Sequence, residues 1–412
     1  MNNIGNDLHE ITKCEVCGNQ QLSSVLNLGL HPMCDDLIPI GDERICKEYP
    51  IEILFCENCL TAHQRFQVPK QDLFPTSYHY RSRFTKDVLN GMSKLVDSCE
   101  QKFGVFEGKK VLDIGCNDGS LLDFFRTKGA ITLGIEPTDA YRDAGHKEHI
   151  TFNDFLSKTV ANNIIETHGT MDFISFTNVF AHIEDLNEVI ESLKILMNPH
   201  TIIIIENHYL GAVLDGNQFD TFYHEHPRTY SYTSFTHIAH SLGVELLEVE
   251  FPARYGGNIR VFLGNDIHNK SELSIKLNDL AVREQKFTQE FEILRNNMEH
   301  WQQTQQAFLK QQVQNYGKLK AKAFPGRAAI LIKLLGLDET IISEVYEKSG
   351  SLKIGHYVPG TRIPIHSDDE LFNLPEQTQP LLNLAWHISS EIQDYMLQNG
   401  YKGKIVDIFE KS

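Results

Sequence analysis

The stretch Val111-Leu112-Asp113-Ile114-Gly115-Cys116-Asn117-Asp118-Gly119 decides the fold class of this chain. It begins as a short β-rich run, and its last glycine opens an apolar helical pattern. Glycines at a strand-to-helix turn let the backbone approach a ligand closely. The turn has Gly-x-x-x-Gly where dinucleotide-binding domains have Gly-x-Gly-x-x-Gly, so it favours S-adenosylmethionine (SAM) over NAD. We expect cofactor contacts from Asp113, Gly115, Asn117 and Gly119.

Two later positions extend this pattern into a cofactor cleft. Glu136 follows the β-rich run 132–135 and lies about 20 residues after the glycine turn, where a carboxylate accepts hydrogen bonds from both hydroxyls of a ribose. Asp154 and Phe155 fall where a third strand would end, and they suit the amine and the face of an adenine ring. The alternative is an ordinary α/β domain with a chance pair of glycines, which Glu136 in register disfavours.

Short β-rich runs alternate with helical stretches along the middle of the chain, at 111–114, 132–135, 173–176 and 202–205. Repeated β-α spacing predicts an α/β fold with a central, mostly parallel, Rossmann-like sheet, and the glycine turn with Glu136 indicates that it is a SAM methyltransferase sheet. We expect a zinc-binding domain at 1–75, the methyltransferase domain at 76–268, a long connecting helix at 269–318 and a second α/β domain at 319–412.

The expected connecting helix carries one apolar stripe at 4-3-4-3 spacing, formed by Phe287, Phe291, Leu294, Met298 and Trp301. Such a stripe on an otherwise polar helix predicts packing between domains. A coiled-coil seam between subunits is the alternative, so we expect a monomer or a weak homo-oligomer. In the second α/β domain, the run 382–386 is predicted to be a buried strand.

Two Cys-x-x-Cys pairs, Cys14/Cys17 and Cys56/Cys59, have the spacing of zinc knuckles. Such a pair turns both sulfurs towards one tetrahedral ion, and two pairs complete a shell of four thiolates. A redox role for one pair is the alternative, but neither pair lies at a thioredoxin-like strand-helix junction. We predict structural zinc, because four protein ligands leave no position open for chemistry.

The composition of the 412 residues disfavours several classes of partner. A formal charge of −17 argues against nucleic acid, because phosphate backbones require a basic footprint. No apolar run approaches the roughly 18 residues of a membrane span, and residues 1–7 contain no apolar signal-peptide region. The 8 cysteines are then metal ligands and buried thiols, and we expect a cytoplasmic protein.

A polar cluster, Tyr223-His224-Glu225-His226, offers bases near neutral pH and a phenol for a developing oxyanion. If this segment is extended, His224 and His226 share one side while Tyr223 and Glu225 share the other. The spacing is not His-Glu-x-x-His, which excludes the metalloprotease pattern. A second metal site and plain structural histidines are the alternatives to an acid/base site.

With these motifs the chain resembles the three-domain SAM-dependent sugar C-methyltransferases that act on nucleotide-linked 4-keto sugars. The resemblance covers nearly the whole length. Its most specific parts are Tyr223-His224-Glu225-His226 and Pro359-Gly360-Thr361-Arg362-Ile363-Pro364-Ile365. Further matching segments include Leu28-Gly29-Leu30-His31-Pro32, Tyr78-His79-Tyr80-Arg81-Ser82 and Tyr255-Gly256-Gly257-Asn258-Ile259-Arg260.

The resemblance implies that SAM binds the central domain while the C-terminal domain helps to hold the sugar nucleotide. It implies His226 as the base that removes a proton next to the ketone, for deoxysugar or surface-glycan biosynthesis. The alternatives are an O- or N-methyltransferase on a related sugar nucleotide, and a binding protein that retains SAM without turnover. The candidate catalytic residues are His226, Tyr223, Glu225, His224, Tyr78 and Tyr80.

The C-terminal domain departs from that family in three places. Members tend to carry a glycine-rich turn near its start, where this chain has Phe324-Pro325-Gly326-Arg327. They tend to have Trp-Asn in place of Trp386-His387, and an Asp near Glu347 that is missing here. The resemblance therefore leaves the identity of the sugar and of the nucleotide open.

Overall fold

The computed structural model of the protein describes residues 8–74, 81–84, 86–265, 278–374 and 379–409. These residues form a small β-rich N-terminal domain, a central α/β domain and a C-terminal α/β domain, so the predicted fold class is confirmed. Within these ranges no helix has both the length and the apolar character needed to cross a bilayer.

The N-terminal domain is built from short strands and one helical turn. Antiparallel pairing joins the second, fourth and fifth strands into a sheet, while the first pairs with the sixth. The elements are β1 (His9–Glu10), β2 (Ser23–Pro32), β3 (Ile38–Pro39), β4 (Glu48–Cys56), β5 (Thr61–Gln64), β6 (Phe66–Gln67) and α1 (Lys70–Leu73).

The central domain holds a seven-stranded sheet with helices on both faces. Its strands are β7 (Lys110–Ile114), β8 (Ile131–Ile135), β9 (Ile150–Phe152), β10 (Phe173–Thr177), β11 (Ile202–His208), β13 (Glu245–Glu250) and β14 (Asn258–Gly264). Its helices are α2 (Lys86–Phe103), α3 (Ser120–Thr127), α4 (Tyr141–His146), α5 (Lys158–His168), α6 (Leu186–Leu196), α7 (Leu210–Asp215) and α8 (Tyr232–Leu242).

The strand order in this sheet is β13-β14-β11-β10-β7-β8-β9. Five neighbouring strands, from β9 to β11, are parallel, and β14 runs antiparallel to β11. Parallel strands end at the same side of a sheet, so the turns after β7, β8, β10 and β11 lie together. We call this side of the sheet the central edge.

One short strand of the central domain, β12 (Arg228–Thr229), leaves that sheet and joins the N-terminal one. It pairs antiparallel with β5, with Arg228 opposite His63 and Thr229 opposite Ala62. The strand begins two residues after His226. The polar cluster at 223–226 is therefore anchored on the N-terminal domain.

The C-terminal domain holds a five-stranded, wholly parallel sheet in the order β18-β16-β15-β19-β20. We call the carboxyl ends of β15, β16 and β19 the C-terminal edge. The strands are β15 (Leu319–Lys322), β16 (Ile342–Glu347), β18 (Ile365–Ser367), β19 (Leu381–Asn383) and β20 (Ile405–Asp407), while β17 (His356–Tyr357) pairs with β3. The helices are α11 (Ala328–Leu335), α12 (Asp368–Phe372) and α13 (Ser389–Gln398).

Helical residues 278–284 (α9) and the long helix α10 (Phe287–Tyr316) connect the two α/β domains. The apolar stripe of α10 packs inside the chain: Phe291 contacts Phe55 with ring centroids 5.2 Å apart, and Trp301 contacts Phe219 at 5.0 Å. The stripe thus contacts the N-terminal domain through Phe55 and the central domain through Phe219, and residues 269–277 of the predicted helix lie outside the described residues.

The expected strand at 382–386 is shorter than predicted. β19 ends at Asn383, whose side-chain oxygen accepts a hydrogen bond from the Ala385 backbone at 3.0 Å, and a 3₁₀ turn begins at Trp386. A local side-chain bond of this kind competes with the strand ladder and ends it. The apolar run is buried as expected, but its second half is a turn.

Candidate active site

The central edge and the C-terminal edge face each other across one cavity of about 780 Å³. Its wall includes the turns after β7, β8, β10 and β11 on one side, and those after β15, β16 and β19 on the other. Ligands of parallel α/β sheets bind outside the carboxyl ends of the strands. Both sheets of this protein therefore present their binding side to the same space.

The glycine turn after β7 leaves no space for a side chain at Gly115. Gly115 has a φ of +69°, and a Cβ added there would lie 2.6 Å from Cγ2 of Val179. Asn117 follows with a φ of +50°, and both residues line the cavity. Gly119, at φ +74°, precedes α3 and lies outside the lining, so it shapes the turn without facing the ligand space.

Two carboxylates stand behind this turn. Glu136 follows β8, lines the cavity and accepts hydrogen bonds from the backbone N–H of Asn117 and of Thr138, both at 2.9 Å. Burial raises its pKa. Asp113 accepts a hydrogen bond from Ser175 Oγ at 2.7 Å, and burial raises its pKa to about 7. The open backbone and the carboxylate beside it fit the ribose and the methionine portion of SAM.

The remaining predicted cofactor residues lie on the same side of the cavity. Asp154 and Phe155 follow β9 and line it, and Lys70 Nζ lies 4.7 Å from the centre of the Phe155 ring. A flat ring at this position fits an adenine face.

Residues 81–84 fold over the glycine turn. The backbone N–H of Ser82 donates to Asn117 Oδ1 at 3.1 Å, and Arg81 bonds Asp139 at 2.7 Å and Asp143 at 2.9 Å. Arg81 and Ser82 line the cavity and were absent from the predicted set. Tyr78 and Tyr80 lie outside the described residues.

The segment Tyr223-His224-Glu225-His226 is a tight turn and not an extended strand. The backbone N–H of His226 donates to the Tyr223 carbonyl at 2.9 Å and closes the turn. The expected sharing of sides is therefore wrong. Tyr223, Glu225 and His226 all line the cavity, whereas His224 is not among the lining residues.

His224 points into the N-terminal domain. Its Nε2 bonds the Tyr49 carbonyl at 3.2 Å, and its ring contacts the edge of the Tyr49 ring at 5.8 Å. Burial lowers its pKa to about 4. His224 is thus placed as a packing residue and not as part of the candidate catalytic set.

His226 is held in one tautomer by its own turn. Its Nδ1 lies 2.9 Å from the Thr221 carbonyl, and because a carbonyl only accepts, the proton lies on Nδ1 and the lone pair on Nε2. Desolvation lowers the pKa of His226 well below the usual value, and the neighbouring histidines add to this shift. A neutral imidazole with a free Nε2 is the form that accepts a proton.

Two further histidines surround His226 and were missed by the sequence analysis. His182 lies 4.9 Å from the His226 ring and His208 lies 5.3 Å from it, and both line the cavity. His208 is the last residue of β11, and His182 lies in the 3₁₀ turn that follows β10. The sequence did offer a signal for both histidines: each lies at or after the end of a central parallel strand, and residues in that position gather at one edge of the sheet.

The C-terminal edge contributes positive charge. Arg327, Lys348 and Lys353 line the cavity, and Lys353 Nζ donates to the Phe324 carbonyl at 2.7 Å. Glu347 accepts a hydrogen bond from the Phe324 backbone at 2.6 Å and so holds the turn after β15. Because Arg327 is ion-paired with Asp220, it is Lys348 and Lys353 that suit this side of the cavity to an anionic group of a substrate.

The four predicted zinc ligands come together away from the cavity. The sulfurs of Cys14 and Cys59 are 3.4 Å apart, those of Cys17 and Cys56 are 3.6 Å apart, and all four lie within 4.8 Å of one another. Zinc–sulfur bonds of about 2.3 Å in a tetrahedron place sulfurs about 3.8 Å apart. The cluster fits one tetrahedral ion, and none of the four cysteines lines the cavity.

Family models match the chain in three consecutive parts. They are a zinc binding domain over residues 14–74, a methyltransferase domain over 79–249 and a C-methyltransferase C-terminal domain over 253–406. The third match begins before β14, so it includes the last strand of the central sheet as well as the C-terminal sheet.

Curated relatives agree with these matches. The C-methyltransferase NovU of Streptomyces niveus is 26% identical over 400 residues, which cover 95% of this chain and 94% of that protein. A ubiquinone biosynthesis O-methyltransferase of Vibrio campbellii is 33% identical over 108 residues, 24% of this chain and 43% of that protein. Among solved structures, a magnesium protoporphyrin IX methyltransferase from Synechocystis covers 43% of this chain and 83% of its own, at 16% identity and a TM-score of 0.35. The domain matches and the full-length relative together identify the chain as a SAM-dependent methyltransferase with a zinc-binding N-terminal domain, and they support transfer of the methyl group to carbon.

Proposed function

We propose that the enzyme methylates the carbon next to the ketone of a nucleotide-linked keto sugar, through an enolate, in deoxysugar or surface-glycan biosynthesis. The observation that carries this proposal is the single cavity. It brings together the glycine turn, the neutral imidazole of His226 and the cations of the C-terminal edge. Carbon methylation of a charged carrier-linked ketone requires all three: a methyl donor site, a base and an anion site.

Each part of the cavity has one role in the proposed reaction. When bound at the central edge, SAM supplies an electrophilic methyl group. His226 Nε2 takes the proton from the carbon beside the ketone, which leaves an enolate as the carbon nucleophile. The phenol of Tyr223, whose ring lies 4.2 Å from that of His226, donates to the developing oxyanion. Glu225 orients the substrate from the same turn.

The diphosphate of the sugar nucleotide is assigned to the C-terminal edge. Lys348 and Lys353 provide charge there, and the switch between β15 and β19 is where a parallel sheet of this order binds ligands. In this proposal the sugar lies between the nucleotide and the methyl donor, next to His226.

The test is mass spectrometry of the purified protein with SAM and a panel of dTDP-, GDP- and CDP-linked 4-keto sugars in deuterated water. We expect a mass gain of one methyl group, and deuterium incorporation at one carbon without SAM. The exchange separates C-methylation from O- or N-methylation, which need no carbon acid.

His226→Asn should abolish both the exchange and the methylation while SAM affinity stays within about threefold, because the residue acts on the substrate. His224→Asn is the matched control, because His224 is two residues away in the same turn but outside the cavity lining, and this variant should retain both reactions. Methylation without exchange, or exchange that survives His226→Asn, would contradict the assigned mechanism.

A further inference from the structure

Arg327 joins the C-terminal edge to the central domain. It lies between β15 and α11, it is 6% exposed, and it lines the cavity. Its Nε donates to Asp220 Oδ2 at 2.8 Å and its Nη2 donates to Asp220 Oδ1 at 2.5 Å. Trp386 Nε1 donates a third bond to the same carboxylate at 2.8 Å. Two side chains of the C-terminal domain thus hold one buried carboxylate of the central domain.

The same guanidinium reaches the residue that sets the tautomer of the base. Arg327 Nη2 donates to Thr221 Oγ1 at 2.9 Å, while the Thr221 carbonyl accepts from His226 Nδ1 at 2.9 Å. Thr221 ends the 3₁₀ turn Phe219–Thr221, whose middle residue is Asp220. Arg327 and the imidazole of His226 are therefore linked through a single residue.

The positive charge of Arg327 lowers the pKa of two neighbouring histidines, as desolvation does. Desolvation lowers the pKa of His208 to about 3, and the nearby guanidinium contributes to that shift. It contributes to the lowered pKa of His226 as well, after desolvation and the two neighbouring histidines. A fixed cation close to an imidazole favours its neutral form.

We propose that Arg327 is a positioning residue for the base: it holds residues 218–221 so that the Thr221 carbonyl keeps the proton of His226 on Nδ1 and leaves Nε2 free. This inference rests on the proposed function, because it assigns a support to the base named there. It gives the departure from the family pattern at 324–327 a role. An arginine at the end of the turn after β15 ties the C-terminal domain to residues 218–221 and, through Thr221, to His226.

The experiment compares Arg327→Gln, Arg327→Lys and Asp220→Asn with a matched control, Lys333→Gln. Lys333 lies on α11 and also pairs across domains, with Glu48, but its side chain is 41% exposed and does not line the cavity. The readouts are kcat and KM, the affinity for S-adenosylhomocysteine by calorimetry, and the ¹⁵N shifts of His226 in the substrate-free enzyme.

We expect Arg327→Gln to lower kcat about 100-fold, because a base displaced by an ångström loses about that much. S-adenosylhomocysteine affinity should stay within about twofold, since the cofactor edge is untouched. Arg327→Lys should recover part of the rate, because it keeps the charge but loses the two-pronged contact with Asp220. In the ¹⁵N spectra, Arg327→Gln and Asp220→Asn should change the Nδ1–H population of His226, and Lys333→Gln should not.

A raised KM with unchanged kcat and an unchanged tautomer would overturn the proposal and make Arg327 a substrate ligand. If Arg327→Gln fails to fold, Arg327→Lys and Asp220→Asn apply the same test. A wild-type enzyme that turns over no keto sugar would count against the proposed function. The tautomer measurement still decides the role of Arg327 in that case, because it requires no substrate.

Discussion

The central edge and the C-terminal edge are built alike and equipped differently. Each belongs to a sheet whose first five strands run third-second-first-fourth-fifth, and each places a glutamate at the end of its second strand, Glu136 and Glu347. In both cases that glutamate accepts a hydrogen bond from the backbone of the turn after the first strand, at 2.9 Å and 2.6 Å. The shared topology therefore includes the same support for the turn.

The turns themselves separate the two edges. After β7 the chain uses glycine and leaves bare backbone, whereas after β15 it places Ala323, Phe324 and Pro325 before Gly326 and a buried arginine. Bare backbone suits a ligand that must lie close to the strand end, while Lys348 and Lys353, on the same side of the cavity as the turn after β15, suit a phosphate. The fold thus supplies the position of a site at the strand ends, while the residues of one turn set the surface that a ligand meets there.

The same substitution in the two glycine positions should give the largest contrast. Gly115→Ala introduces a Cβ 2.6 Å from Val179 in a residue at φ +69°, and we expect SAM affinity to fall about 100-fold. Gly326→Ala places its Cβ 3.3 Å from the Cβ of Cys34, and SAM affinity should change less than about twofold. Calorimetry with S-adenosylhomocysteine measures both. Equal losses would show that the two turns are not separate sites.

Exchanging each glutamate for glutamine should separate the ligands of the two edges. Glu136→Gln loses a charged acceptor for the ribose, and we expect SAM to bind about tenfold more weakly. Glu347→Gln should leave SAM affinity unchanged and raise the KM for the sugar nucleotide, because it loosens the turn after β15. SAM binding and steady-state kinetics, measured for both variants, check that each substitution affects only one of the two ligands. Weaker SAM binding in Glu347→Gln would contradict the assignment of separate ligands to the two edges.

The pH dependence of methyl transfer should report the protonation of His226. His226 accepts a proton only when neutral, and desolvation holds its pKa well below the usual value. As the pH falls through about 6.5, where an ordinary histidine becomes charged, methyl transfer should continue, and it should decline only at lower pH. A kcat/KM profile measures this. An acidic limb centred near the ordinary histidine value would contradict a desolvated base.

The smallest expected effect concerns backbone strain in the two turns. Ala323 has a φ of +63°, so Ala323→Gly should stabilise the protein by about 0.5–1 kcal/mol. Asn117 has a φ of +50° in the corresponding central turn, but its side chain accepts a hydrogen bond from Ser82. Asn117→Gly should therefore give no gain. Urea unfolding of both variants checks the difference, and equal stabilisation would mean that the Ser82 contact contributes nothing.

Much of the central edge was predictable because its parts lie close together in the chain. A strand, a glycine turn and a carboxylate one strand later form a local pattern, and the cysteine pairs have a characteristic spacing. The behaviour of 223–226 was not predictable in this way. Alternation of sides holds only for a strand, and a single bond from His226 to Tyr223 makes the segment a turn.

Contacts between residues far apart in the sequence could not be predicted from it. Arg327 and Asp220 are 107 residues apart in sequence, and neither carries a local pattern that points to the other. His182 and His208 meet His226 only because their strands end at one edge of the sheet. Such pairs depend on how whole sheets pack, which no short window of sequence encodes.

Residue types and their spacing were enough to predict the three-part organisation, the glycine turn with a carboxylate behind it, and the cluster of four cysteines. These depend on covalent spacing and on the conformations that a few neighbouring residues allow. Three features depend on tertiary packing: the two sheet edges share one cavity, His224 faces away from it, and Arg327 contacts Asp220 and Thr221. The reason is physical: those features follow from burial of the apolar stripe of α10 and from ion pairs between domains, and both are sums over residues far apart in the chain.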